Sequence, residues 1–135
     1  MNNELKANLE LCGRTAVDFT GLYYAFLDNR RDEMGYFYLD NAKLTWNGMC
    51  TYGRNAIEQK FLELPSSHHE LKTLDALPMP ASIVGNQLTT TILVGGIVQY
   101  PGQPMCTFNQ VFLVTSESDK WKISSDLYRV KQPIN

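Results

Sequence analysis

The run His68-His69-Glu70 carries the residue types of a metal site, and it is the first place where this chain could do chemistry. A bound zinc or iron needs imidazoles converging on one point. These histidines are neighbours in a stretch that reads as a strand, where adjacent side chains leave on opposite faces. The spacing therefore predicts packed or solvated histidines and no metal ligand. Asp126 comes next, mid-strand between Ser125 and Leu127. A carboxyl group turned into a cavity between helices and sheet could act as a general base, with Tyr23, Tyr24 or a histidine as the acid. Spacing pairs it with none of them, so Asp126 is read as a hydrogen-bonded structural aspartate and no catalytic residue is assigned. Cys12, Cys50 and Cys106 are far apart and lack CxxC spacing, which reads as free buried thiols in a reducing compartment. No HExxH, P-loop, GxGxxG or GxSxG motif occurs, and no cofactor is expected.

Two further residues raise questions of contact. Trp46 stands at the end of the run Leu44-Thr45-Trp46-Asn47-Gly48. Asn-Gly is the strongest short hairpin signal, because a type I′ turn requires positive φ at both central positions. A bulky aromatic at a hairpin tip could pack, line a pocket or meet another chain. Arg129 has the parity opposite to Asp126 and shares a face with Leu127. If that face is covered, the arginine either meets a carboxylate of the covering chain or snorkels to water at the rim.

The elements that must position these residues follow from length and period. The 135 residues suit one domain, spanning 1–135, with one core. With 44 % hydrophobic and 19 % charged residues the chain is an ordinary globular one. Twelve basic residues face fourteen acidic ones, a net charge of −2, with no basic cluster beyond Arg30-Arg31. Direct nucleic-acid binding needs a basic surface to displace counterions, so none is expected. The opening MNNELKANLELCG lacks the charged-then-apolar layout of a signal peptide, and no apolar run approaches a membrane span. The expectation is cytosol or nucleus, and no membrane partner.

Leu5, Leu9, Cys12, Ala16, Phe19, Tyr23 and Phe26 recur at steps of three and four and predict one long helix, capped at Asn2 or Asn3. A short helix over Arg31–Phe37 and a third over Arg54–Leu64, with Ile57, Phe61 and Leu64 on one face, follow. The period then switches to two, predicting strands near His68–Leu77, Gln87–Tyr100, Met105–Thr115 and Lys120–Val130. Their breaks are Pro78-Met79-Pro80, Gly85-Asn86, Pro101-Gly102 and Ser116–Asp119. Helices first and then long antiparallel strands is an α+β layout, with helices against one face of the sheet.

The strands are apolar on both faces. One parity of Leu88–Tyr100 carries Leu88, Thr90, Ile92, Val94 and Val98; the other carries Leu93 and Ile97. Phe108 and Phe112 oppose Val111 and Leu113 in the same way. An antiparallel sheet with one solvated face should alternate apolar with polar. The helices cover one face, and another polypeptide is the natural cover for the other, unless curled sheet ends fold over it. The residues assigned to the partner-covered face are Ile92, Val111, Leu113, Leu127 and Arg129, with Phe108, Phe112 and Tyr128 turned to the helices. Gly95-Gly96 predicts a bend or bulge.

The runs NRRDEMGYFYLDNAKLTWNG, FLELPSS, TFNQVFLV and WKISSDLYRV, in this order over about residues 15 to 130, resemble the nuclear transport factor 2-like family. The resemblance implies a cone-shaped domain, a curved antiparallel sheet wrapped around N-terminal helices, that dimerises sheet on sheet. Within the family the match is to the mRNA-export branch. This implies a non-catalytic small subunit that heterodimerises with the nuclear transport factor 2-like domain of the large nuclear RNA export factor. It also implies phenylalanine-glycine nucleoporins as partners through the heterodimer, and shuttling between nucleus and cytoplasm through the nuclear pore. The alternatives are a homodimeric Ran-GDP import factor and a small-molecule dehydratase or isomerase using the cone. Importers of the family carry acids in the loop that here reads Tyr100-Pro101-Gly102-Gln103-Pro104, without one, which favours the export role. The tryptophan of the hairpin recurs in the family pattern, so Trp46 is expected to pack against the helices.

Overall fold

The apolar stripe of the first residues forms one continuous helix, α1 (Asn3–Asn29), in the computed structural model, which describes residues 3–79, 88–117 and 120–133. Asn2, Pro80, the Gly85-Asn86 break, Gln87 and Ser118-Asp119 lie outside the described residues. Burial along the stripe starts at Cys12 and continues through Ala16, Phe19, Tyr23 and Leu27, while Leu5 is exposed. A 3₁₀ segment, Arg31–Phe37, buries Met34 and Phe37 and leads into β1 (Tyr38–Trp46). The turn at Asn47-Gly48 joins β1 to β2 (Met49–Tyr52), with φ of 51° and 86°, both positive as a type I′ turn requires. Helix α2 (Arg54–Glu63) buries Ile57 and Phe61; Leu64, predicted as its last residue, is the cap. The remaining strands are β3 (His68–Pro78), β4 (Thr89–Gln99), β5 (Cys106–Glu117) and β6 (Lys120–Pro133).

The six strands form one sheet in the order β2-β1-β6-β5-β4-β3. The sequence pattern predicts antiparallel pairing, and the ladders of β3, β4, β5 and β6 are antiparallel. The ladder between β1 and β6 is parallel, which corrects the expectation of a wholly antiparallel sheet. A parallel neighbour needs a long crossover, and all the chain from β2 to β5 supplies it. Period-two reading sees strands but not which distant strand closes the order.

α1 packs across the β3 side of the sheet, α2 covers β1 and β2, and the 3₁₀ segment lies against both helices and reaches β6. The β3–β4 ladder is interrupted by a bulge where Leu71 and Thr73 of β3 pair with Gly96 and Gly95, with a register shift between them. A β-carbon on Gly96 would collide with the carbonyl oxygen of Glu70 and lie 2.9 Å from Phe108 Cε1, so the bend needs glycine there. Of the thiols, Cys12 is buried as expected, Cys106 is half-buried and Cys50 is exposed, because Cys50 lies on the short edge strand β2.

Candidate functional site

The inner face of the sheet is a closed aromatic and hydrogen-bonded layer. Phe108, Phe112 and Tyr128 all point inward and are fully buried. Phe112 meets Tyr23 with ring centroids 4.8 Å apart and Phe19 at 5.5 Å. Asp126 lies within this layer at 1 % exposure. Its Oδ2 accepts hydrogen bonds from the Tyr38 hydroxyl at 2.6 Å and the Tyr23 hydroxyl at 3.1 Å, and its Oδ1 accepts one from Gln110 Nε2 at 2.7 Å. Tyr24 donates to Gln110 Oε1 at 2.5 Å. Burial raises the Asp126 carboxyl from the ordinary 3.8 to about 6, against the lowering effect of its donors Gln110, Tyr38 and Tyr23. Burial, joined by the nearby Asp126, pushes the phenols of Tyr23, Tyr24 and Tyr38 well above their ordinary range. This arrangement ties α1 and β1 to the sheet by neutral donors around one acid, and among the described residues Asp126 does not line the groove of about 550 Å³ that runs along α1 past Leu22, Tyr36 and Trp121. Asp126 is hydrogen-bonded, as the sequence leads one to expect; Tyr38 and Gln110, its other partners, are not legible from spacing.

The histidines separate as strand geometry requires: His68 is exposed and His69 buried. His69 Nδ1 is 2.7 Å from Asp28 Oδ1 and its Nε2 2.8 Å from the Tyr128 hydroxyl, which is 3.1 Å from that of Tyr100. Burial would raise the Asp28 carboxyl, but the hydrogen bonds from the His69 side chain and backbone N–H, with that of Ser67, outweigh it and hold the group below its ordinary value. Among the described residues no group of three or more His, Cys, Asp or Glu is arranged to hold a metal ion. Trp46 packs as expected, flat on Tyr128 with ring centroids 3.7 Å apart and edge-on to Phe61 of α2 at 5.6 Å.

The outer face is different, and the ladder registers give its layout. Directly paired residues share a face. Leu127 pairs with Val111 and Val111 with Leu93, a central apolar row that continues to Asp75 on β3 and to Thr45 and Cys50 on the other side. The next row runs Ser125, Leu113, Thr91 and Leu77, and the row on the other side runs Arg129, Asn109, Gly95 and Thr73. Among the described residues no helix covers these rows: Leu77 is 57 %, Leu93 39 % and Leu127 47 % exposed. Arg129 is exposed as well, and among the described residues no carboxylate pairs with it. Val111, Leu113, Leu127 and Arg129 therefore lie on the outward face to which the sequence assigned them. Ile92 does not. It is 0 % exposed, opposite Phe112 in the ladder, and belongs to the inner core. In a run that is apolar on both faces hydrophobicity cannot choose the side, and pairing with an inward phenylalanine does. The exposed apolar residue of that strand is Leu93, and its parity with Ile97 is the available signal.

Residues 15–130 match the family model of the nuclear transport factor 2 (NTF2) domain. The chain is 35 % identical over 130 residues to the human NTF2-related export protein 2, covering 93 % of this chain and 92 % of that protein. Among solved structures, nuclear transport factor 2 from Cryptosporidium parvum superposes with a TM-score of 0.79 at 25 % identity, over 89 % of this chain and 94 % of the other. A chain of the Candida albicans (C. albicans) Mtr2-Mex67 M domain complex superposes at 0.73 and 15 % identity, over 88 % of this chain and 94 % of the other, a likeness of fold.

Proposed function

This chain belongs to the NTF2 domain family, and we propose that within it the chain is the non-catalytic small subunit of a heterodimeric mRNA export receptor. Its partner is the NTF2-like domain of a large nuclear RNA export factor, docked on the outer sheet face. The pair then offers a binding surface to phenylalanine-glycine nucleoporins and shuttles through the nuclear pore. The observation that carries this reading is the uncovered row Leu127, Val111 and Leu93 with Arg129 beside it. Apolar side chains in contiguous rows on a sheet face are an interaction surface. An arginine at the edge of such rows supplies the forked contact to a carboxylate that fixes register. A relative named as an export protein and a neighbour solved as a complex support the same reading.

Titration of the two chains tests it. A complex of one copy of each, measured by mass, is expected, and a chain that stays monomeric over a wide concentration range without capturing the large-subunit domain overturns it. Arg129→Ala should weaken binding by roughly 30- to several-thousand-fold, since removing one member of a desolvated charge pair costs about 2–5 kcal/mol. Arg129→Lys should rescue in part, because a point charge cannot reproduce the fork. An Arg129→Ala affinity within about threefold of wild type would make the arginine a solvated rim residue.

A further inference from the structure

The turn residue Asn47 does more than turn the chain. In a parallel ladder one residue donates its N–H to the neighbouring strand and accepts, through its own C=O, from the residue two further along it. Asn47 N–H donates to the Tyr128 carbonyl at 2.8 Å, which continues the parallel ladder of β1 on β6 one step beyond Trp46. The backbone then swings into the left-handed region, with φ of 51° at Asn47 and 86° at Gly48. The acceptor offered to the Val130 N–H is the side-chain Oδ1 of Asn47, at 2.8 Å. These two hydrogen bonds grip the backbone immediately before and after Arg129. The arginine's own side chain runs back along the turn, so that a β-carbon placed on Gly48 would lie 3.8 Å from Arg129 Nη2.

We propose that Asn47 is a positioning residue for partner binding: its side-chain amide stands in for a strand carbonyl and holds β6 so that Arg129 is presented, already ordered, at the edge of the outer face. The proposal rests on the reading of Arg129 as a partner-binding residue. The kind of group it serves is a carboxylate on the partner's sheet face, for which a fixed guanidinium plane matters and a mobile one does not. Turn formation alone does not call for the amide. Glycine tolerates positive φ as well as asparagine does, so Asn47→Gly keeps the turn and deletes the clamp.

The experiment is a double-mutant cycle on the titration against the large-subunit NTF2-like domain, with Asn47→Gly, Arg129→Ala and both together. Ordering one long side chain before binding is worth enough to expect Asn47→Gly to weaken affinity by roughly fivefold to tenfold. In the Arg129→Ala background the same change should alter affinity by less than about twofold. Asn47→Asp, which keeps the acceptor, should restore most of the loss. Relaxation of the Arg129 side-chain Nε–Hε in the isolated chain gives a readout independent of the partner: its mobility should rise in Asn47→Gly and stay low in Asn47→Asp. Wild-type affinity in Asn47→Gly beside a strong Arg129→Ala loss would overturn the clamp and leave the Arg129 reading standing. An equal Asn47→Gly loss with or without the arginine, or unchanged Nε–Hε mobility, would overturn it too. An Arg129→Ala affinity near wild type would remove the parent reading, and the clamp with it.

Discussion

Asp126 and Leu127 are consecutive in β6 and face opposite sides of one sheet. The first is 1 % exposed and takes hydrogen bonds from Tyr23, Tyr38 and Gln110, while the second is 47 % exposed and extends a row of aliphatic side chains. The same contrast repeats on β5, where Phe112 is locked among aromatic rings and Val111 and Leu113 are half-buried on the outer side. On the inner face Asp126 and Phe112 each have several partners from distant parts of the chain, so a change there is paid for in folding. On the outer face Leu77, Leu93 and Leu127 remain exposed, so a change there should cost the isolated fold less. On the proposed reading a single sheet separates stability from recognition, and substitutions on its two sides should sort accordingly.

The largest effect is expected on the inner side. Phe112→Ala removes a fully buried ring that contacts Phe19 and Tyr23 and leaves a cavity that the stiff aromatic layer cannot close. The expected loss is about 3–5 kcal/mol of folding stability, read as a large drop in the urea midpoint of the isolated chain. A drop no greater than that of an outer-face truncation would break the contrast between the faces.

Next in size is a pH effect that belongs to the inner face alone. The folded chain holds the Asp126 proton more tightly than the unfolded chain, since the carboxyl moves from the ordinary 3.8 to about 6. Between those values the native state binds more protons, so stability falls as pH rises through about 4 to 6. The full difference is about 3 kcal/mol. Asp28 works in the opposite sense: its carboxyl is held below 3.8, so its contribution is present above that value and is lost as the pH falls further. Asp126→Asn should therefore flatten the decline between about pH 4 and 6 and leave the loss of stability at lower pH in place. Urea midpoints across pH for the two chains check this; an unchanged slope in Asp126→Asn would show that the carboxyl is not the titrating group.

The two faces were not equally legible in the sequence. The stripe from Cys12 to Tyr23 is a helix because its spacing keeps one face apolar through several turns, and that much is local information. Of β1 only the hairpin tip is legible, because Asp40 and Asn41 interrupt its alternation, and a register shift between Tyr38 and Lys43 marks the same place. Asp126 was recognisable as a carboxyl in an apolar strand, but its shortest partner, Tyr38, is 88 residues away and pairs with it only through the parallel closure of β1 on β6. Ile92 was assigned to the wrong side because its run is apolar on both faces, and only the register with Phe112 decides. The role of the Asn47 side chain was masked by its turn propensity, which already accounted for the residue.

The smallest effect sharpens the comparison most, because it must be near zero in one assay and measurable in the other. Leu127 is 47 % exposed in the free chain, so about half of its side chain is already in water and no aromatic layer closes around it. Truncation to alanine should cost the isolated fold little, within about 0.5–1 kcal/mol, since exposed substitutions away from caps and polar networks stay in that range. If the outer face is covered by a partner, the exposed half is buried on association. Burying a whole leucine side chain is worth about 1.5–3 kcal/mol, so half of it is worth roughly 1 kcal/mol. Leu127→Ala should therefore weaken the heterodimer by about fivefold, with the urea midpoint of the free chain nearly unchanged. Leu93→Ala, in the same row, should behave alike, and because Leu127 and Leu93 each pair with Val111 the double variant should depart from additivity. A Leu127→Ala chain that binds as wild type but unfolds more easily would place this leucine with the core after all, and would leave Arg129 alone on an outer face with no apolar row to support it.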